Sequence, residues 1–259
     1  MNDVLTRVSD IARQAGRVQR ARFGHVRHIE FKGAINLVTE VDRECEALIV
    51  SELRKSFPND DILAEEGSGS ECGCARKWIV DPLDGTVNFA HGFPFFCVSI
   101  ALEEAGELTT GVIYDPNRDE IFTAAKGLGA HMNGEPIRVT GETELSQSMV
   151  ATGFAYNVQE EERFDNLGNF ARFVKLARAV RRPGSAAIDL AWLACGRLDG
   201  FWELFLRPWD MAAGVCIIRE AGGLVTSFDG SPYDLYGTQI LASNGKIHAQ
   251  MMIVLEAQR

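Results

Sequence analysis

The stretch Trp78-Ile79-Val80-Asp81-Pro82-Leu83-Asp84-Gly85-Thr86-Val87-Asn88-Phe89 constrains this chain more than any other. Ile79-Val80 has the character of a short buried strand, and Pro82, with no amide to donate, is expected to end its ladder. Asp81 and Asp84 emerge where that strand runs out. Gly85 lets the backbone turn closely, and Thr86 is placed to open a helix whose first amides are exposed. Hard oxygen ligands beside N–H donors suit a divalent cation that holds a phosphate. Taken alone, these residues are better read as an Asp-rich turn after a strand. The rest of the chain decides.

Residues 3–22 place Leu5, Val8, Ile11, Ala12, Ala15 and Val18 at helical spacing, which predicts an amphipathic helix. Phe31 to Thr39 reads as a loop into a second helix, with Asp42 near its start and Cys45, Leu48, Ile49 and Leu53 facing inward until Phe57-Pro58. Asp61 to Ala64 is a short strand delivering Glu65 and Glu66, and the Gly-rich run from Gly67 to Lys77 is a loop. From Phe95 to Val139, strands at Cys97 to Leu102, Thr109 to Tyr114 and Glu120 to Ala124 alternate with turn residues, a predicted antiparallel meander. Ser148 to Gly153 is a further strand, and Glu160 to Ala177 a helix with Phe164, Leu167, Phe170 and Phe173 inward. Gly184-Ser185 opens the apolar helix Ala186 to Cys195; Gly200 to Leu204 is a strand, and Trp209-Asp210 starts a helix that Gly222-Gly223 ends. Two short strands and a helix over Gly245 to Leu255 close the chain.

Interleaved helices and strands with an antiparallel section predict an α+β or layered α/β fold. A composition shift near Leu145 divides the expected architecture into 1–144, with the acidic motifs, and 145–259, with Asp210, forming one compact unit. A net charge of −10 and no long basic block argue against nucleic acid as the main ligand. The N-terminus lacks a signal-peptide profile and no apolar run would span a bilayer, so the cytoplasm is the expected compartment. Cys45, Cys72, Cys74, Cys97, Cys195 and Cys216 read as reduced thiols, with Cys97, Cys195 and Cys216 inside apolar runs.

Acidic residues that follow strands or open helices recur at Asp42, Glu65, Glu66, Asp81, Asp84 and Asp210. Each has an ordinary explanation, as a helix cap or a solvated loop charge. As a group they do not. Like charges about 4 Å apart repel by roughly 1–4 kcal/mol per pair at surface-like dielectrics, so such a cluster needs a cation. All-oxygen donors favour Mg²⁺, Ca²⁺ or Mn²⁺.

The order Asp42, Glu65-Glu66, Asp81-Pro82-Leu83-Asp84-Gly85-Thr86 and Trp209-Asp210-Met211-Ala212-Ala213 resembles the inositol monophosphatase family, within the lithium-sensitive, magnesium-dependent phosphatases. The similarity runs from about Phe31 to Asn244 and includes Gly184-Ser185-Ala186-Ala187 and Glu203. It implies an α-β-α-β-α sandwich of the sugar phosphatase type, usually a homodimer. It also implies roles. Glu65, Asp81, the carbonyl of Leu83, Asp84 and Asp210 would hold Mg²⁺, and the Gly85 and Thr86 amides would grip the phosphate. Asp42 with Thr86 would polarise the attacking water, with Glu65 as a second candidate. Asp84, Gly184, Ser185, Ala186, Glu203 and Asp210 would line the substrate.

The expected activity is Mg²⁺-dependent hydrolysis of a phosphate monoester, myo-inositol 1-phosphate first, by activated water. No Cys, Ser or His stands where a covalent phospho-enzyme would need it, and His91 reads as structural. Fructose 1,6-bisphosphate, histidinol phosphate and adenosine 3′,5′-bisphosphate are the alternative substrates. A regulatory or interaction protein that retains the fold is the alternative of a different class. In Thr152-Gly153-Phe154 only Thr152 offers a clear polar contact to a sugar.

Overall fold

The computed structural model describes residues 3–25, 29–32, 36–70, 73–155 and 165–256. The predicted first helix is α1 (Asp3–Arg22), with Leu5, Val8, Ile11, Ala12 and Ala15 buried. Where the sequence predicts a loop, β1 (Ile29–Lys32) and β2 (Asn36–Thr39) pair antiparallel. Strands this short carry too few residues for an alternation to be read. α2 (Glu40–Ser56) starts from Thr39, whose hydroxyl accepts from Val41 N while Asp42 accepts from the Thr39 amide at 2.8 Å. Thr39 is therefore the cap, and Asp42 sits at the third position of the first turn, held by a reciprocal capping box of the kind that contributes about 1 kcal/mol.

β3 (Asp61–Ala64), β4 (Arg76–Asp84), β5 (Cys97–Glu104), β6 (Glu107–Asp115), β7 (Glu120–Ala125), β8 (Ala130–Met132) and β9 (Glu135–Ile137) form a seven-stranded sheet in chain order. Only the β3–β4 pair is parallel; the rest is the predicted meander. Pro82 interrupts its strand rather than ending it. The ladder with β5 jumps from Asp81–Ser99 to Asp84–Cys97, so the missing proline amide falls in a bulge. Gln19 of α1 donates to the Pro82 carbonyl at 2.7 Å and supports that bulge from behind. α3 (Thr86–Ala90) follows at once.

The second sheet has five strands in the order β11-β10-β12-β14-β13, from β10 (Met149–Thr152), β11 (Ala179–Arg181), β12 (Gly200–Leu204), β13 (Leu224–Thr226) and β14 (Gln239–Ser243). Four helices accompany it: α4 (Leu167–Leu176), α5 (Ala186–Ala194), α6 (Pro208–Glu220) and α7 (His248–Glu256). The edge strand β11 has no counterpart in the sequence reading, for the same reason of length.

Three apolar cores separate the layers. α1 and α2 pack on one face of the large sheet, burying Ile11, Ile49, Leu53, Trp78 and Phe96. α5 and α6 fill the space between the two sheets through Ile188, Leu190, Leu193, Met211, Val215 and Ile218. α4 and α7 cover the outer face of the small sheet around Phe173, Trp202 and Met251. The result is the five-layered α-β-α-β-α arrangement that the resemblance implies. α5 and α6 have almost no polar face because both sides of each meet a sheet.

Leu167, expected inward, is 59% exposed. The helix begins at that residue, and its packed face is instead set by Asn169 and Phe173, the latter stacked on Trp202 with centroids 3.8 Å apart. Residues 160–164, including Phe164, lie outside the described residues. Cys45, Cys97 and Cys216 are buried free thiols and Cys195 is a half-buried one. Cys74 is disulfide-bonded, which corrects the expectation of reduced thiols throughout; Cys72 lies outside the described residues. Composition and compartment cannot register how close two particular thiols are placed.

Candidate active site

Asp81, Asp84 and Asp210 each offer a ligand atom, and these atoms all lie within 4.8 Å of one another. Two elements, β4 and α6, deliver them. Asp81 comes from the last regular turn of the β4 ladder, Asp84 from beyond its bulge, and Asp210 from the first turn of α6. Each carboxylate has one oxygen fixed by a backbone amide. Leu83 N donates to Asp81 Oδ1 at 2.9 Å, Ala187 N to Asp84 Oδ2 at 2.7 Å, and Arg207 N to Asp210 Oδ2 at 2.7 Å. The Ser185 hydroxyl adds a second donor to Asp84 Oδ2 at 2.5 Å. One oxygen held by local donors leaves the carboxylate oriented, with its other oxygen available to a cation.

The charges oppose one another. Burial first, then Glu65, Asp84 and Asp210, raise Asp81 well above the ordinary carboxylate range. Burial, followed by the Asp84 charge, does the same to Asp210. Asp84 rises to about 6 through burial, although the Ser185 and Ala187 donors pull it down. A divalent cation is the group that would let all of them ionise together, and an all-oxygen donor set is what such a cation requires. Glu65 follows β3, its amide bonded to Val80 O at 3.2 Å beside Asp81. Its turn is held by Glu46 of α2, a buried carboxylate that accepts from Glu66 N at 2.7 Å and Ser68 N at 2.8 Å. Sequence reasoning missed Glu46, whose helical position looks like any other polar one.

Gly85 joins β4 to α3 with φ 96°. A Cβ there would stand 2.8 Å from Phe95 O, so both the conformation and the space require glycine. The turn places Thr86 Oγ1 2.9 Å from Asp42 Oδ1 and 3.1 Å from Leu83 O. Burial raises the Asp42 carboxyl, against the hydrogen bonds from Thr39 and Thr86 that lower it. Asp42 is thus brought to the bulge from a separate helix.

Across the cleft, Asn88 of α3 donates to Phe95 O, Pro183 O and Gly184 O at 2.8 to 3.2 Å, tying the turn after β4 to the segment before α5. Gly184, Ser185 and Ala186 follow it, but the Ser185 hydroxyl is committed to Asp84. Glu203, at the end of β12, is buried, and no described residue donates to its carboxylate. Burial pushes it up to about 8, with Arg182 opposing and Asp84 reinforcing the shift. Arg207, four residues on, is turned to Asp210, to which its amide donates. Asp189 of α5, also missed by the sequence reading, is a second buried carboxyl here, raised by burial and then by Glu203. Its Oδ1 has no partner among the described residues. Thr152 is fully buried and its hydroxyl donates to Trp202 O at 2.6 Å, so it faces the core rather than the cleft.

Five layers, with a carboxylate cluster able to hold a metal ion where β4 meets the start of α6, define a metal-dependent phosphatase of the layered α+β class. The profile of the inositol monophosphatase family matches residues 1–258, and the chain belongs to that family. It is 48% identical over 237 residues to the inositol-1-monophosphatase of Synechocystis sp., covering 91% of this chain and 82% of that protein. It is 44% identical over 229 residues to the Nus factor SuhB of Pseudomonas aeruginosa, covering 87% and 84%. The solved inositol monophosphatase from Anabaena superimposes with a TM-score of 0.90 at 42% identity, covering 98% of this chain and 95% of that one.

Proposed function

We propose that this enzyme hydrolyses phosphate monoesters of small polyols, myo-inositol 1-phosphate first among them, with Mg²⁺ as its metal. The observation that carries the reading is the convergence of Asp81, Asp84 and Asp210 beside the Asp42–Thr86 pair. The three aspartates, with Glu65 and the Leu83 carbonyl, would hold Mg²⁺. When bound, that ion supplies positive charge to the phosphate and lowers the pKa of water. The Thr86 hydroxyl donates a hydrogen bond to Asp42, which leaves a lone pair on Oγ1 to accept from the attacking water. The Gly85 and Thr86 amides receive phosphate oxygens. On the alcohol side, Glu203 accepts from ring hydroxyls, while Gly184 and Ala186 line the wall. Ser185 acts through Asp84.

The homodimeric state is part of this reading through the family resemblance, and the cytoplasmic setting through the N-terminal sequence, which lacks a signal-peptide profile. None of the helices among the described residues is long and apolar enough to cross a membrane. The similarity to a protein called a Nus factor favours a second reading, in which the fold serves regulation. Phosphate release from inositol 1-phosphate, fructose 1,6-bisphosphate, histidinol phosphate and adenosine 3′,5′-bisphosphate, with Mg²⁺ and with EDTA, separates them. The expected result is EDTA-sensitive release, fastest from inositol 1-phosphate. No release from any of the four would overturn the catalytic reading, and a faster bisphosphate would overturn the substrate.

A further inference from the structure

We infer that Gly153 is a positioning residue for Glu203, and that the absence of a side chain at 153 sets which polyols the site accepts. The inference rests on the proposed role of Glu203 as an acceptor for substrate hydroxyls. β10 and β12 run parallel, with Thr152 opposite Trp202, so the residues that follow each, Gly153 and Glu203, end side by side. A Cβ on Gly153 would fall 2.2 Å from Glu203 Oε1, 2.4 Å from Oε2 and 2.5 Å from Cδ. The backbone of Gly153 is not in the left-handed region that only glycine favours. It is the space, not the conformation, that requires a glycine here.

The backbone beneath the carboxylate cannot retreat. Asn166 donates through Nδ2 to Gly153 O at 2.8 Å and to Thr152 Oγ1 at 2.8 Å. The Thr152 hydroxyl donates to Trp202 O at 2.6 Å, and Trp202 Nε1 donates back to Asn166 Oδ1 at 2.9 Å. That closed ring of buried bonds locks Thr152-Gly153 against the strand that carries Glu203. The carboxylate itself receives no hydrogen bond from the described residues, so packing on the Gly153 Cα orients it. A methyl group at 153 would therefore be accommodated at the flexible end of Glu203 rather than in the fold. The carboxylate would shift away from the position that meets the substrate hydroxyls.

The experiment is a double-variant cycle of Gly153→Ala and Glu203→Ala, with KM and kcat for inositol 1-phosphate and glycerol 2-phosphate and the Tm of each protein. Gly153→Ala should raise KM for inositol 1-phosphate about tenfold with kcat little changed, and leave glycerol 2-phosphate within about twofold. In the Glu203→Ala background the same change should alter neither KM nor Tm, because the group it displaces is gone. Equal effects in both backgrounds, or none in the wild type, would overturn the inference. If Glu203→Ala leaves KM for inositol 1-phosphate unchanged, the substrate role of Glu203 fails and the specificity role of Gly153 falls with it. The paired Tm values still read the packing in that case. A folded double variant beside an unfolded Gly153→Ala would support the coupling; if neither folds, the glycine serves the fold alone and the inference is overturned.

Discussion

Thr86 Oγ1 stands 2.9 Å from Asp42 Oδ1 and 3.1 Å from Leu83 O, and its single proton can serve only one of them fully. The carboxylate is the stronger acceptor, so the proton points at Asp42 and the hydroxyl oxygen is left as an acceptor facing the cleft. Residues from the first turn of α2 and the first turn of α3 thus act as one unit.

Thr86→Val keeps the shape and removes the hydroxyl, and should lower kcat by about 10²-fold or more, with a smaller change in KM. Asp42→Asn should cost a similar factor. In the double variant the losses should not multiply, because either change alone already breaks the pair. Steady-state kinetics on the three proteins decides, and fully multiplicative losses would refute a shared role.

Asp84→Asn removes a ligand charge while its amide oxygen can still accept from Ser185 and Ala187 N. Activity should fall by several orders of magnitude and the Mg²⁺ concentration for half-maximal rate should rise, with Tm close to wild type. A variant within a few-fold of wild-type rate at saturating Mg²⁺ would remove Asp84 from the metal site.

Li⁺ is a small hard cation that could take a Mg²⁺ position with half the charge. Low millimolar Li⁺ should inhibit uncompetitively with substrate. A flat titration through that range would mean that the acidic site differs from what the resemblance implies.

His248 supplies a pH dependence away from the cleft. Its Nε2 is 2.9 Å from Thr226 Oγ1 and its Nδ1 2.8 Å from Ser243 Oγ. Thr226 already donates to Ser227 O, so Nε2 carries the proton and Nδ1 accepts from Ser243. Burial lowers the His248 pKa below its ordinary value of 6.5, and protonation would set a second N–H against the Ser243 donor. The unfolded chain then binds the proton more readily than the folded one. This contribution to stability is present above about pH 6.5, the unfolded pKa, and is lost as pH falls through the folded value. His248→Gln lacks it. The Tm gap between wild type and variant should therefore narrow from pH 8 to pH 5 in thermal melts; a gap independent of pH would refute the coupling.

The turn into α3 was legible because Gly85 makes it unavoidable; the bulge between Asp81 and Asp84 was not, because Pro82 alone predicts an end to the ladder and only pairing with β5 lets it resume. The run of short strands from Cys97 to Ala125 was legible because turn residues separate them. β1, β2 and β11 were not, since three or four residues show no periodicity of their own. Asn166 and Glu46 gave no sign of their importance: a polar residue looks the same in sequence whether it meets water or a buried backbone group.

The sequence by itself determined the local chemistry: a strand that ends in two aspartates, a glycine turn, a threonine that opens a helix, and further carboxylates at element starts. Local rules act over a few residues, and those features need no more. Tertiary structure alone decided that Asp42, Asp84 and Asp210 share one cleft, because α2, β4 and α6 meet only when two sheets clamp α5 and α6 between them. It also decided that Glu203 is buried against Gly153, with Asp189 as a second buried carboxyl beside it. The physical reason is that burial and the approach of like charges arise from packing between layers, and no stretch of chain contains both of the surfaces that meet.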